Sequence, residues 1–204
     1  MLLQHLLSIS QRVSSLDTLA LSMVGDNTWG ELGTGTTVNA TNLTKIGTFS
    51  WSQVSAGSSH TAAIRSDGIL FAWGSNQYGQ LGLLNTIHRS SPVQVGTSSW
   101  TSVSAKNINT FAIRSDGLLF GWGDMTYGQL GNNSLLNNYL AYSWKQVAAG
   151  GSHTVAIKSD GTLWGWGYNT NGQLGQNNTV HRSSPVQVGT SSWTLVSAGY
   201  YHTT

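Results

Sequence analysis

The sequence predicts an all-β chain of β-propeller type, made of about four repeated blades of four antiparallel strands, and three observations predict it. Trp51, Trp100, Trp144 and Trp193 follow one another at intervals of 49, 44 and 49 residues. Within each interval the same order of residues returns: "VSAGSSHTAAIRSDGILFAWGSNQYGQLG" from Val54, "VSAKNINTFAIRSDGLLFGWGDMTYGQLG" from Val103 and "VAAGGSHTVAIKSDGTLWGWGYNTNGQLG" from Val147. The fourteen residues "HRSSPVQVGTSSWT" stand twice without change, from His88 and from His181, as the tails of two such units. Helical periodicity is missing after residue 18, and a period of this size built from short strands marks a radial array rather than a two-layer sandwich.

Residues 1–17, "MLLQHLLSISQRVSSLD", form an extension in which Leu2, Leu3, Leu6, Leu7, Val13 and Leu16 share one helical face. A positive leading segment and a small-residue cleavage site are lacking, so we expect a short docking helix rather than a signal peptide. Residues 18–50 match the second half of a unit, with Val24 where Trp73 stands and Trp29 where Tyr78 stands. Three whole units follow at 51–99, 100–143 and 144–192, and 193–204 supplies the first part of another. The 44-residue unit is short because "NNSLLNNYLAYSW" replaces "HRSSPVQVGTSSW".

Inside a unit, Asp67-Gly68 divides two β-rich runs, and Asp116-Gly117 and Asp160-Gly161 repeat the pattern. Glycine accepts positive φ without steric cost, so each pair signals a tight hairpin. "PVQV" before Gly96 and Gly189 reads as a further strand with proline at its first position, where no ladder N–H is needed.

The order "AG..HT.AI.SDG.L..WG.N..GQLG" resembles the regulator-of-chromosome-condensation repeat family over residues 18–204. The resemblance implies a β-propeller in which each repeat supplies about one four-stranded blade. It also implies a ring of seven such blades, whereas this chain encodes about four blade-equivalents. An open arc exposes two apolar faces and strand edges. The half-units could close a small ring of four, exchange between two copies to give eight blades, or belong to a piece of a longer product. We expect truncation or assembly ahead of a self-sufficient four-bladed ring.

Charged residues make up 8% of the chain, against about 25% in an average domain. Solubility therefore rests on Ser, Thr, Asn and Gln. The net charge of +2 is scattered singly, with no stripe for a phosphate backbone, so no nucleic-acid partner is expected. Zero cysteines exclude disulfides, thiolate metal sites and cysteine catalysis. No run of 18 apolar residues exists for a membrane-spanning helix.

His60, His153 and His202, each followed by Thr, occupy one equivalent position per unit, with Asn109 in that place in the second. Catalysis or metal binding needs different groups converging on one point, whereas a residue stamped into each blade sits at separate points. Hydrogen bonding within a blade is the expected role. Asp67, Asp116 and Asp160 read as turn residues, and Trp73, Trp122, Trp166 and the boundary tryptophans as filling between sheets, joined by Trp164, Phe71 and Phe120. "YGQLG" precedes neither a Lys-Ser/Thr pair nor a helix start, so no phosphate loop is formed. The Gly-Trp-Arg-His-Thr signature of the family's ultraviolet photoreceptor is replaced here by "GSSHT", "GGSHT" and "GYYHT". No catalytic group, cofactor or metal is expected.

Function is left with whatever breaks the repeat, on loops carried by a rigid scaffold. Lys106, Asn107 and Asn109, Tyr139 and Tyr142, and Tyr200 and Tyr201 are the partner-contact candidates. The expected function is a non-enzymatic scaffold or binding module for a protein partner or further copies of itself. Low charge and absent cysteine favour a virion or extracellular surface. Guanine-nucleotide exchange on a small GTPase, the activity of the family's founding member, is the alternative that the resemblance implies.

Overall fold

The computed structural model describes residues 20–131 and 139–204, and within them every regular element is a strand. The proposed N-terminal helix over 1–17 and the whole "NNSLLNN" segment, 132–138, lie outside the described residues. A leading pair, β1 (Ser22–Gly25) and β2 (Ala40–Lys45), is followed by three blades. Blade I holds β3 (Trp51–Ala56), β4 (His60–Arg65), β5 (Ile69–Gly74) and the first half of β6 (Arg89–Lys106). Blade II holds the second half of β6, then β7 (Asn109–Arg114), β8 (Leu119–Gly123) and β9 (Tyr139–Leu140). Blade III holds β10 (Trp144–Ala149), β11 (His153–Lys158), β12 (Leu163–Gly167) and β13 (Arg182–Gln187). A trailing pair is joined by a bridge between Ala198 and Thr203. All pairings are antiparallel.

Apolar side chains collect between successive blades rather than in one central core. Ile64, Leu70 and Val95 of blade I meet Trp100 and Val103 of blade II, while Phe111, Ile113 and Leu119 of blade II meet Trp144, Val147 and Trp166 of blade III. Val155, Ile157 and Leu163 of blade III then meet Val196. A middle strand is therefore covered on both faces. In "HTAAIR" Ala62 and Ile64 face blade II while Ala63 faces the other way, and five of the six residues are buried without alternation.

Backbone groups left over at the blade joints are satisfied by short polar side chains of the neighbouring blade. Gln53 Oε1 accepts from Val103 N at 2.8 Å, Ser55 Oγ from Ala105 N at 2.8 Å and Gln146 Oε1 from Val196 N at 3.1 Å. These bonds satisfy polar groups that would otherwise be buried unpaired.

The hairpin at Asp67-Gly68 is a four-residue turn in which Gly68 N donates to Arg65 O and only Gly68 takes positive φ, at 87°. Asp67 holds its own turn, accepting from Ile69 N and from Arg65. Two expectations change. β6 and β13 begin three residues before their prolines, and Pro92 and Pro185 fall where the pairing register shifts between Ala72 and Gly74 and between Gly165 and Gly167. An irregular outer strand tolerates the missing donor, so proline need not come first. Trp51, Trp100 and Trp144 are buried, each against the ring of Trp73, Trp122 or Trp166 from the third strand of its own blade, but Trp193 stays 41% exposed because the described residues after it form only a bridged pair.

Candidate functional site

The first two strands of each unit are joined by a tight turn, and these turns lie side by side along one end of the blades. In blades I and III and in the trailing pair the turn begins with glycine and ends with histidine. Gly57, Gly150 and Gly199 each donate N–H to the carbonyl of the histidine three residues on, at 2.8 to 2.9 Å. The imidazole folds back over the glycine. A Cβ built on Gly57 or Gly150 would lie 2.2 Å from the ring Cε1 of His60 or His153.

Blade II breaks both positions together. Asn109 replaces histidine and directs its side-chain N–H₂ to Asp124 O at 2.6 Å, so no ring covers the first turn residue and Lys106 can stand where the others need glycine. Asn107 then takes the left-handed φ of 50°, which asparagine tolerates better than most residues. The coupling predicts a non-additive pair. Gly150→Ala should destabilise by about 1–3 kcal/mol through overpacking, and adding His153→Asn should remove much of that loss. Chemical denaturation of the two single variants and the double variant checks it; additive losses would refute the coupling.

The turns are linked across blades. Asn107 O accepts from Ser58 N at 2.8 Å, Asn107 Nδ2 donates to Gly151 O at 3.0 Å, and Gly151 N donates to Tyr200 O at 3.2 Å. One hydrogen-bonded line, with the Asn107 side chain as one of its links, thus runs Ser58, Asn107, Gly151, Tyr200. Gly151 is required by this approach, since a Cβ there would lie 2.7 Å from Tyr200 O. Beside the line stand Lys106, half-buried, and the exposed rings of Tyr200 and Tyr201, packed edge to face at 4.6 Å.

The structure therefore brings Lys106, Asn107, Tyr200 and Tyr201 onto one surface. Asn109 lies beneath it, buried. Tyr139 pairs through its backbone with Phe120 in the outer strand of blade II. Tyr142 is at the opposite end of the blades, where Lys158 Nζ sits 3.9 Å from its ring and 3.6 Å from that of Trp164. Arg65 over Phe49 and Phe71 makes the same cation–π arrangement in blade I. Ser58 and Gly151 belong to the line although no break in the repeat marks them; their only sequence signal is their offset of 49 or 44 residues from Asn107.

The histidines form a separate, structural system. His60 Nε2 lies 2.8 Å from Thr110 Oγ1 and His153 Nε2 lies 3.1 Å from Thr203 Oγ1, so the bonds cross to the next blade rather than closing within one, as the repeat had suggested. The threonine that follows each of these histidines reaches the other way, Thr61 to Glu31 O and Thr154 to Gln129 O. Thr203 likewise donates to Gln173 O, so its oxygen can only accept from His153, which fixes the proton on Nε2. Burial lowers the pKa of both His60 and His153 to about 4, with His202 adding to the effect on His153. Among the described residues no three His, Asp or Glu side chains gather as a metal site, and no helix is long and apolar enough to cross a membrane.

Comparison with known proteins agrees with this architecture. The family model described as the regulator of chromosome condensation (RCC1) repeat matches residues 23–64, 67–113, 116–157 and 160–204, and a second model of the same repeat matches 51–80, 100–129 and 144–173. No curated protein sequence matches the chain. Among solved structures, Prp20p of Saccharomyces cerevisiae, which binds Gsp1p and histones, is similar at a TM-score of 0.77 and 20% identity, over 89% of this chain and 50% of that one. Human WBSCR16 is similar at 0.69 and 18% identity, over 92% of this chain and 67% of that one. The CRINKLY ectodomain of the Arabidopsis thaliana receptor kinase ACR4 is similar at 0.52 and 17% identity, over 81% of this chain and 48% of that one. The chain thus spans about half the length of Prp20p. With four consecutive repeat matches and inter-blade packing of the propeller kind, the chain belongs to the RCC1 repeat family.

Proposed function

We propose that the chain is a non-enzymatic scaffold whose row of turns, Ser58, Asn107, Gly151 and Tyr200, with Lys106 and Tyr201 beside it, receives a protein partner. The observation that carries this reading is the convergence of repeat-breaking residues from two separate units on one hydrogen-bonded line. Tyrosines supply contact area at low entropic cost, and Lys106 has no ion pair among the described residues. Low charge and the absence of cysteine favour a phage virion or bacterial surface setting, where contacts among structural proteins are the expected use. Cross-linking mass spectrometry on virions or surface fractions tests the reading: adducts at Lys106 to another protein are expected, and recovery of the chain from cytosol alone would refute the setting. Tyr200→Ala with Tyr201→Ala should weaken capture of the cross-linked partner about tenfold or more while leaving thermal melting nearly unchanged.

A second reading is guanine-nucleotide exchange, supported by the likeness to Prp20p, a protein that binds Gsp1p. It predicts faster release of a labelled guanine nucleotide from a small GTPase in the presence of this chain. No acceleration would dismiss it.

A further inference from the structure

The loop between the third and fourth strands of a unit lies at the same end of the blades as the row of turns, on their outer rim. At two joints an aromatic side chain from one such loop meets a histidine from the next. Trp29 of the leading pair lies 4.9 Å from His88 of blade I, and Tyr127 of blade II lies 5.7 Å from His181 of blade III. Tyr168 adds a third ring at the second joint, 4.8 Å from Tyr127 and 4.7 Å from His181. The glycine after each aromatic residue permits the approach: a Cβ on Gly30 would lie 2.5 Å from Ser90 Cα, and one on Gly128 2.5 Å from Ser183 Cα.

Neither ring is needed by the loop that bears it. Asn171 stands at the aromatic position in blade III, and its N–H donates to Gln173 Oε1 at 3.0 Å, as those of Trp29 and Tyr127 do to Glu31 Oε2 and Gln129 Oε1 at 2.8 Å. His88 and His181 accept the N–H of Asn76 and Asn169 on Nδ1 at 2.9 and 3.0 Å, work that Asn39 Oδ1 does for Asn27 in the leading pair. Trp29 and Tyr127 nevertheless stay 41% and 40% exposed, so the fold gains only part of their burial. With Nδ1 as acceptor, the neutral imidazole carries its proton on Nε2, and that N–H has no partner among the described residues. Each joint thus presents an exposed ring beside a hydrogen-bond donor of fixed position.

We propose that the two joints are glycan-binding subsites, each holding one pyranose ring. The C–H groups on the apolar side of a pyranose are slightly positive and pack on the electron-rich face of Trp29 or Tyr127. A sugar hydroxyl accepts from Nε2 of His88 or His181. The Trp29–His88 and Tyr127–His181 rings meet at 62° and 75°, so neither pair forms the slot between parallel faces that a proline-rich peptide would enter. The low charge of the chain suits a ligand recognised through its hydroxyls. One such contact is weak. Two copies of it on a rigid scaffold suit a polymer of repeated sugars, whose second contact forms at high effective concentration. Neither subsite uses a residue of the row of turns, so the two proposals stand or fall separately.

Affinity electrophoresis of the full chain tests this, in native gels containing α-mannan, mixed-linkage β-glucan or the O-polysaccharide of a bacterial lipopolysaccharide. Retardation in at least one gel is expected, with the association constant of the double variant Trp29→Ala, Tyr127→Ala lower by about tenfold or more. Tyr142→Ala, which removes an exposed ring at the opposite end of the blades, should be retarded as the parent chain is. On the unaltered chain, the hexasaccharide of the retarding polysaccharide should shift the ring C–H signals of His88 and His181 in NMR spectra and leave those of the buried His60 and His153 in place. That arm stands even if the variants misfold. Free migration in all three gels, undiminished retardation of the double variant, or unmoved signals of His88 and His181 would overturn the proposal. Decaproline binding that is tighter than that of the hexasaccharide and lost in the double variant would overturn it in favour of a peptide groove.

Discussion

Replacing Trp166 by alanine is expected to destabilise the chain by about 3–5 kcal/mol. The side chain is fully buried at the joint between blades II and III, packs against Trp144 at 5.7 Å and covers Gly131. Removing it opens a void that backbone on both sides cannot close, and deletes the N–H bond to Gln129 O. For a chain of this size the melting temperature should fall by about 10 °C. Trp166→Phe keeps most of the apolar area and should cost markedly less, since Thr154 still satisfies the carbonyl. Trp193→Ala supplies the contrast: a half-exposed tryptophan on the trailing pair should change melting by little. Thermal denaturation of the three variants checks the ranking, and an equal loss for Trp166 and Trp193 would contradict inter-blade packing as the main source of stability.

Acid should loosen the blade joints through the buried histidines. In the folded chain His60 and His153 titrate at about 4, against about 6.5 when unfolded. The neutral ring is the native form, because Nε2 faces a threonine oxygen while Nδ1 is buried with no partner, and protonation would place a charged donor there. Between pH 6.5 and 4 the unfolded chain binds more protons than the folded one, so stability falls as pH falls through this window. The contribution is complete above about pH 6.5, and about 3 kcal/mol of it is lost for each histidine by the time pH has fallen to 4. Urea midpoints at pH 7, 5.5 and 4.5 measure the slope. Blade II shows that asparagine is accepted at this place, so the double variant His60→Asn, His153→Asn should fold and lose most of that slope. An unchanged slope would assign acid sensitivity to other groups.

Sequence alone legibly fixed the local pieces. Asp-Gly pairs marked the hairpins between the second and third strands, the "GQLG" runs marked turns, and the interval between tryptophans gave the spacing of the repeated units, because turn chemistry acts over a few residues and a copied period is read directly from the chain. Prolines misled by three residues, since a strand that bulges accepts proline inside it. The histidines were read as structural from repetition, yet their partners were not legible. Whether an imidazole bonds within its blade or to a threonine 50 residues away depends on how one sheet is rotated and staggered against the next.

The candidate surface divides in the same way. Lys106, Asn107, Asn109, Tyr200 and Tyr201 stood out as departures from the repeat, but only the blade stacking separates the buried Asn109 from the others and joins Asn107 to Tyr200 through Gly151. Tyr142, equally conspicuous in the sequence, faces Lys158 at the far end because antiparallel strands send successive connections to opposite ends of a blade. The sequence by itself determined the propeller class, its strands and its turns, since these follow from neighbours along the chain. Tertiary structure alone decided which side chains meet across blades and which turns join in one row, since those contacts arise from packing between units that the chain order does not bring together.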